Sequence, residues 1–238
     1  MIAILVCDRD KQESAMILQD CKKQVERNSD EALHIETAAD GGAFSAVAEN
    51  EMLIDMLYYE FQKGQKTGDL RSFRRRCSDM MALYITDSSV SPLEYLRPGI
   101  APDSLLLRPL TAKQLAAVNG EFMESFFQRF ESKDAKSCFV VETREEKVFI
   151  PFSYIYYFEA RDKKIFVRAR NEEYAFYGTI EALEKRLPEK FQRCHRSYIV
   201  NTGKIARIFL AENYIELSGQ IGIPISRSYK SLFKGART

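Results

Sequence analysis

The sequence predicts an α/β unit, doubly wound around a five-stranded parallel sheet, followed by a mainly β unit. Three observations predict this. The chain has 238 residues, ample for two cores at about 100–200 residues per domain. Its hydrophobic pattern changes at the polar stretch Glu131–Ser137, from apolar runs separated by helical stripes to short, closely spaced strands. Its charge changes there too: residues 1–136 carry 17 Lys and Arg against 22 Asp and Glu, a net of −5, whereas residues 137–238 carry 18 against 12, a net of +6. An acidic unit joined to a basic one implies that the second meets a polyanion.

Ile2–Cys7 is a continuous apolar run, too short for most helices and suited to a strand buried on both faces, so it reads as the central strand. Lys11–Glu26 then places Ala15, Leu18, Cys21, Lys22 and Val25 near a helical repeat. Leu33–Ala38 is a short strand and Gly42–Glu49 a short helix. Ile54–Tyr59, Met81–Thr86 and Ser104–Leu107 are further strands, with helices expected over Leu70–Cys77 and Val90–Leu96. Thr111–Glu131 is a longer helix, opened by a Thr cap and apolar at Leu115, Val118, Phe122, Phe126 and Phe127. Strands alternating with helices build a parallel sheet, in which function collects at the carboxyl ends of the strands.

After the linker the strands expected are Cys138–Glu142, Lys147–Pro151, Ile155–Glu159, Lys164–Arg170, Glu173–Thr179, Tyr198–Asn201, Ile205–Leu210, Tyr214–Leu217 and Ile223–Ile225. They are rich in β-branched and aromatic residues and separated by charged or Asn/Gly turns. One helix, Ile180–Leu187, stops at Pro188. The aromatic run Tyr154, Tyr156, Tyr157 and Phe158 is expected to pack in the core rather than stack on bases.

Composition closes several function classes. Five cysteines form an odd, scattered set without a C-x-x-C pair, and only His34 and His195 could join them, so neither a disulfide framework nor a zinc site is encoded. The opening MIAILVCDRD is broken by Asp8 and Asp10 and lacks a basic leader, unlike a signal peptide. No stretch approaches the roughly 18 apolar residues of a membrane span, and a cytoplasmic location without membrane insertion is expected. Cys194 and His195 are neighbours on a strand-like segment and point apart, so they make no nucleophile and base pair. No enzyme is expected.

The strand ends carry a resemblance. Cys7-Asp8-Arg9-Asp10, Ile54 through Glu60, Ile85-Thr86-Asp87 and Leu106-Leu107-Arg108-Pro109 resemble, in order and spacing, the receiver domains of two-component response regulators over residues 1–132. The resemblance implies an acidic pair for Mg²⁺, a phosphoacceptor Asp, a Thr or Ser that holds the phosphoryl group and a Lys that pairs with it. Such chemistry needs hard oxygen ligands and a cation for phosphoryl charge. This chain keeps Asp8, Thr86 and Pro109 but carries Arg9 in place of the second acid, Glu60 in place of the phosphoacceptor and Arg108 in place of the Lys. A cationic Arg9 opposes Mg²⁺, so no cofactor is expected. Glu60, Arg9 and Arg108 are expected to form an ion-pair cluster in place of metal and phosphate, leaving an inert pocket, a locked switch in which Glu60 mimics phosphorylation, or a residual acceptor. Asp55 is the alternative to Glu60 but falls at the start of its strand, away from the functional edge.

After a linker at 133–137, residues 138–236 are similar to the LytTR-type DNA-binding domain. The similarity rests on Tyr177-Gly178-Thr179-Ile180, on Phe191 through Asn201 (FQRCHRSYIVN) with Lys204-Ile205, and on Ile223 through Lys230 (IPISRSYK). It implies an elongated all-β fold whose loops and strand ends enter successive major grooves. The positions that contact DNA fall on the loop Arg161 to Lys164, on Arg196 and on Arg227. Arg196 and Arg227 are expected to read bases, and Lys163, Lys164, Arg193 and Lys230 to hold phosphates. For Arg161 to Lys164 a solvated hairpin turn is the competing reading, and His195 is expected to be structural. Together these resemblances imply a sequence-specific transcriptional regulator that binds double-stranded DNA, not controlled by conventional Asp phosphorylation. They also imply a homodimer formed through the receiver, with surplus apolar surface at Phe122, Phe126 and Phe127, and a histidine kinase or other signalling protein as partner. The competing function is a protein- or ligand-sensing interaction module whose basic half binds DNA non-specifically.

Overall fold

A computed structural model describes residues 1–29, 31–49, 52–134, 138–142 and 147–234. The chain divides into two compact units, Met1–Glu131 and Ser132–Thr238.

The first unit runs β1 (Ile2–Cys7), α1 (Lys11–Asn28), β2 (Leu33–Ala38), α2 (Gly41–Glu49), β3 (Met56–Phe61), α3 (Gly68–Arg76), β4 (Met81–Thr86), α4 (Pro92–Tyr95), β5 (Ser104–Leu107) and α5 (Ala112–Asp134). Its strands form one parallel sheet in the order β2-β1-β3-β4-β5. This is the doubly wound flavodoxin-like order, with its switch point between β1 and β3. β1, β3 and β4 are buried at every position, which is why β1 and β4 read as nearly unbroken apolar runs. Asp10 caps α1, its carboxylate accepting from the amides of Gln12 and Glu13 at 2.8 and 3.1 Å.

Several expected positions shift. The buried stripe of α1 is Ile17, Cys21 and Val25; Ala15 and Lys22 are exposed, because the helix takes the phase that buries Ile17. β3 begins two residues later than expected and includes Glu60. Asp55 precedes it and serves as a staple, its carboxylate accepting from the Ala3 amide at 2.9 Å. α4 is a single turn, started by Ser91 and Pro92. Phe122 and Phe126 are buried in the core, and Phe127 packs against it, so these rings leave no surplus face. α5 continues to Asp134, through the start of the expected linker; residues 135–137 of that linker lie outside the described residues.

The second unit contains β6 (Cys138–Glu142), β7 (Lys147–Pro151), β8 (Ile155–Arg161), β9 (Lys164–Ala169), β10 (Glu172–Phe176), α6 (Ile180–Glu184), β11 (Phe191–His195), β12 (Tyr198–Asn201), β13 (Ile205–Phe209), β14 (Tyr214–Leu217), β15 (Ile221–Pro224) and α7 (Lys230–Phe233). They form antiparallel sheets ordered β10-β9-β8-β12-β11, β13-β14-β15 and β6-β7. Phe139, Phe152, Phe158 and Phe191 meet edge-on or tilted in the core between them. Phe158 is part of that core, and Tyr156 is buried too, with the Lys204 ammonium 5.2 Å from its ring. Asn201 is buried and donates to the carbonyls of Phe152 and Ile155 at 3.2 and 2.8 Å.

A buried polar clasp joins three elements of the first unit. The Tyr58 hydroxyl donates to Asn119 Oδ1 at 2.5 Å, and Asn119 Nδ2 donates to Asp20 at 2.7 Å. Removing one member strands the others away from water. Asn119→Ala is therefore expected to cost about 2–3 kcal/mol in chemical denaturation, and the pair with Tyr58→Phe is expected to cost clearly less than the sum of the two singles. Additive losses would show that the clasp does not act as a unit.

Candidate nucleic-acid interface and receiver pocket

At the carboxyl ends of β1, β3 and β5 the side chains fill the site. Arg108 donates from Nη1 to Glu60 at 2.6 Å, from Nη2 to Asp8 Oδ1 at 2.9 Å and from Nε to Glu13 at 2.8 Å. Arg9 donates to the other Glu60 oxygen from Nε at 3.1 Å and from its backbone amide at 3.3 Å. Charge-assisted bonds of this kind are short and strong. Burial would raise the Glu60 carboxyl, but the bonds from Arg108 and Arg9 outweigh it and hold Glu60 below its usual range. Burial pushes Asp8 up to about 6, with the Asp10 amide and Arg108 opposing. Asp8 Oδ2 is buried without a hydrogen-bond partner among the described residues.

Thr86 is fully buried, and its hydroxyl donates to the Phe61 carbonyl at 2.8 Å. It braces the neighbouring strand, where a phosphoryl-holding hydroxyl was expected. Arg9, Glu60, Asp8 and Arg108 are thus brought together, and Thr86 is turned to another task.

In the second unit the strand pairings bring Arg161, Lys163, Lys164 and Arg196 to one end of the five-stranded sheet. Arg161 closes β8 and pairs with Lys164, which opens β9. Between them Asp162 and Lys163 form a two-residue turn with φ of 52° and 61°. Glycine fits such positions at less cost, yet here the turn carries a cation outward. Ala160 donates to the Ser197 carbonyl, and Tyr198 opposes Glu159, so the β11–β12 turn with Arg196 lies beside the end of β8. Ser226 donates to the Cys194 carbonyl, placing Arg227 beside the end of β11. With strands about 4.8 Å apart, β10 to β11 spans about 19 Å, or roughly half a turn of duplex at about 34 Å per turn.

The seven predicted contacts divide in two. Arg196, Arg227 and Lys163 are exposed and make no ion pair among the described residues. Lys164 lies over the Tyr177 ring at 5.2 Å. Arg193, by contrast, is only 11% exposed in its side chain and bonded to Glu181 and Glu184 at 2.8 and 3.1 Å. It also donates to the carbonyls of His195 and Arg196 at 3.2 and 2.9 Å. Its charge is neutralised by α6 and its donors brace the Arg196 turn. Arg161 lies 3.9 Å over the Phe166 ring and pairs with Glu159 and Glu173 at 3.2 and 2.9 Å, which removes it from the free cations. Lys230 donates to the Leu210 carbonyl at 2.6 Å and ties α7 to the β13–β14 turn. His195 Nδ1 accepts from the Ser197 amide at 3.2 Å. Burial, with Arg196 and Arg193 nearby, holds this imidazole below its usual range, in the neutral state that bond requires.

Tyr177 is a residue that sequence reasoning passed over. It is 81% exposed and stands at the β10 end of the same edge. Its place in the YGTI block was visible, but not its exposure.

The first unit therefore has a receiver-like fold, and the second has a cation-tipped β edge suited to a polyanion. Residues 145–237 match the family described as LytTr DNA-binding domain, and the second unit is such a domain. Relatives include the transcriptional regulatory protein YpdB of Escherichia coli K12, 36% identical over 97 residues, covering 38% of this chain and 40% of that protein. The sensory transduction protein LytT of Bacillus cereus is 32% identical over 94 residues, 38% of either chain. The chain thus spans about two fifths of the length of the curated relatives it matches. Among solved structures, the LytTr DNA-binding domain of a methyl-accepting/DNA response regulator from Bacillus cereus is 33% identical, covering 42% of this chain and 94% of that one with a TM-score of 0.38. A response regulator receiver protein from Sinorhizobium medicae is 17% identical, covering 52% and 96% with a TM-score of 0.40. No described helix is long and apolar enough to cross a membrane.

The pocket has a pH signature. The Asp8 carboxyl is raised from its ordinary 3.8 to about 6, so the folded state binds this proton more tightly than the unfolded chain. The contribution is fully present below the unfolded value and lost as pH rises through the folded one. Measured by exchange of the β1 amides, the stability of the wild type relative to Asp8→Asn is expected to fall between about pH 4 and pH 7. A flat or rising difference would contradict the assigned environment of Asp8.

Proposed function

We propose that this chain is a transcriptional regulator of the response-regulator type that binds specific double-stranded DNA through one end of its second unit's five-stranded sheet. The observation that carries the reading is the gathering of Lys163 and Arg196 on two turns at one end of the five-stranded ladder, with the Arg227 loop hydrogen-bonded beside them. A guanidinium on a tip can reach guanine O6 and N7 as a bidentate donor, so Arg196 and Arg227 read bases. Lys163 and Lys164 neutralise phosphates. Arg193 and His195 hold the Arg196 turn in place, so its ordering cost falls before binding.

In the same reading the receiver does not work by conventional phosphorylation. The residues do not fit Mg²⁺: Arg108 takes Asp8 Oδ1, both Glu60 oxygens are bonded to Arg9 and Arg108, and a guanidinium stands where a second acid would coordinate. The pocket is locked by its own side chains, with Glu60 held by two arginines much as a bound anion would be. The protein acts in the cytoplasm as a dimer on paired repeats. The receiver supplies the self-association surface at Leu93, Leu96 and Leu107, which are 78%, 59% and 48% exposed, in place of the buried phenylalanines. A signalling protein, a histidine kinase included, would then act through contact and not through phosphoryl transfer.

A gel shift on a duplex with candidate repeats tests both parts. Arg196→Ala and Arg227→Ala are each expected to lose about 1–3 kcal/mol on the specific duplex and little on a scrambled one. Prior incubation with acetyl phosphate and Mg²⁺ is expected to leave binding unchanged and to add no phosphate by mass. Equal binding of wild type and variants to specific and scrambled duplexes would favour the non-specific interaction module, and a phosphate on Glu60 or Asp55 would overturn the locked pocket.

A further inference from the structure

Glu159 lies where strand preference and charge both oppose it. It belongs to β8, the middle strand of the five-stranded sheet, where an acid is disfavoured, and it sits near the sheet end that carries Lys163 and Arg196. Its side chain is only 15% exposed. A carboxylate so placed needs both oxygens bonded, and both are. Oε1 accepts from the Tyr198 hydroxyl at 2.6 Å and Oε2 from Arg161 Nη1 at 3.2 Å.

The two donors belong to two different turns. Tyr198 opens β12 just after the Arg196 turn and opposes Glu159, whereas Arg161 closes β8 beside the Lys163 turn. Arg161 then carries the contacts further across the sheet. Its guanidinium lies 3.9 Å from the ring of Phe166, the β9 residue opposite Glu159, and donates from Nη2 to Glu173 of β10 at 2.9 Å. One network therefore crosses β12, β8, β9 and β10 behind the turns that carry Lys163 and Arg196. The seam that it reinforces is short, since β8 and β12 share three register pairs, Tyr198 with Glu159, Ile199 with Phe158 and Val200 with Tyr157. Beyond the last of these the two turns are joined by the Ala160 amide, donating to the Ser197 carbonyl at 2.8 Å, and by this network. An isolated surface ion pair adds little, but a network shared among four strands restrains several side chains together.

We propose that Glu159 is a positioning residue for DNA reading: it sets the spacing of the Lys163 and Arg196 turns, and thereby sequence discrimination, with no contact to DNA of its own. This rests on the DNA reading proposed for this sheet end and adds to it a residue that charge alone would exclude. The two roles of the carboxylate carry opposite signs. As a charge it repels phosphates, so its loss tightens binding to any duplex. As an acceptor it holds the turns, so its loss weakens the binding that depends on their spacing.

The test is a fluorescence-anisotropy titration of the full chain with a specific and a scrambled duplex at one salt concentration. Glu159→Ala is expected to bind the specific duplex about tenfold more weakly, the loss of about one base reading, and the scrambled duplex about twofold more tightly. Tyr198→Phe removes one donor without changing the charge, and is expected to weaken the specific duplex about threefold and to leave the scrambled one unchanged. Glu159→Gln keeps an acceptor oxygen without the charge, and is expected to recover most of the specific affinity that Glu159→Ala loses. Tighter binding of Glu159→Ala to both duplexes, no recovery in Glu159→Gln, or a Tyr198→Phe chain that binds as the wild type does would each overturn the proposal and leave the DNA reading standing. Equal loss on both duplexes in Glu159→Ala reports a folding defect, and Tyr198→Phe then decides. A wild type that does not distinguish the two duplexes would overturn the DNA reading, and this role of Glu159 with it.

Discussion

In a single antiparallel ladder every turn falls at one of two ends, and which end is fixed by strand order and pairing. That constraint governs the second unit. Because β8 pairs with both β9 and β12, and β12 with β11, the 162–163 turn and the 196–197 turn come to the same end although they are distant in sequence, and the Ser226 amide, donating to the Cys194 carbonyl, brings the Arg227 loop beside them from the β13-β14-β15 sheet. Side chains then refine the edge. Arg193 ties the 196 turn to α6, and His195 accepts from its next amide, so the charged tips are carried on a stiff frame.

The first unit applies a related logic to a different problem. A receiver sheet leaves carboxylates at the strand ends, where a metal and a phosphate usually balance them. Here Arg108 reaches Glu60, Asp8 and Glu13 at once, and Arg9 completes Glu60. Ion pairs in a partly buried setting hold only when the remaining oxygens are bonded. Both Glu60 oxygens and Asp8 Oδ1 are so bonded, and burial raises the Asp8 carboxyl despite Arg108.

Much of this was legible in the sequence. The apolar runs at Ile2–Cys7 and Met81–Thr86 gave their strands because strands buried on both faces leave no room for polar interruption. The substitutions at positions 9, 60 and 108 were visible because the pocket is assembled from strand ends, whose order along the chain is the order of the sheet. Hidden were matters of long-range partnership. Nothing near Arg193 in sequence reveals that Glu181 and Glu184 face it from one helix, or that Glu173 closes on Arg161. Phe122 and Phe126 read as an apolar stripe, but a stripe does not tell how much of itself the sheet covers. The phase of α1 moved for the same reason. Exposure of Tyr177 and of Leu93 depends on what the tertiary fold leaves uncovered, and no local spacing encodes that.

The central claim is that DNA is met by one end of the β10-β9-β8-β12-β11 sheet. Hydrogen exchange of the full chain, with and without a specific duplex, tests it most directly. The account predicts new protection at residues 162–164, 195–198 and 226–228, with the opposite strand ends at 152–155, 169–171 and 201–204 unchanged. Protection concentrated at those opposite ends, or confined to the first unit, would contradict it.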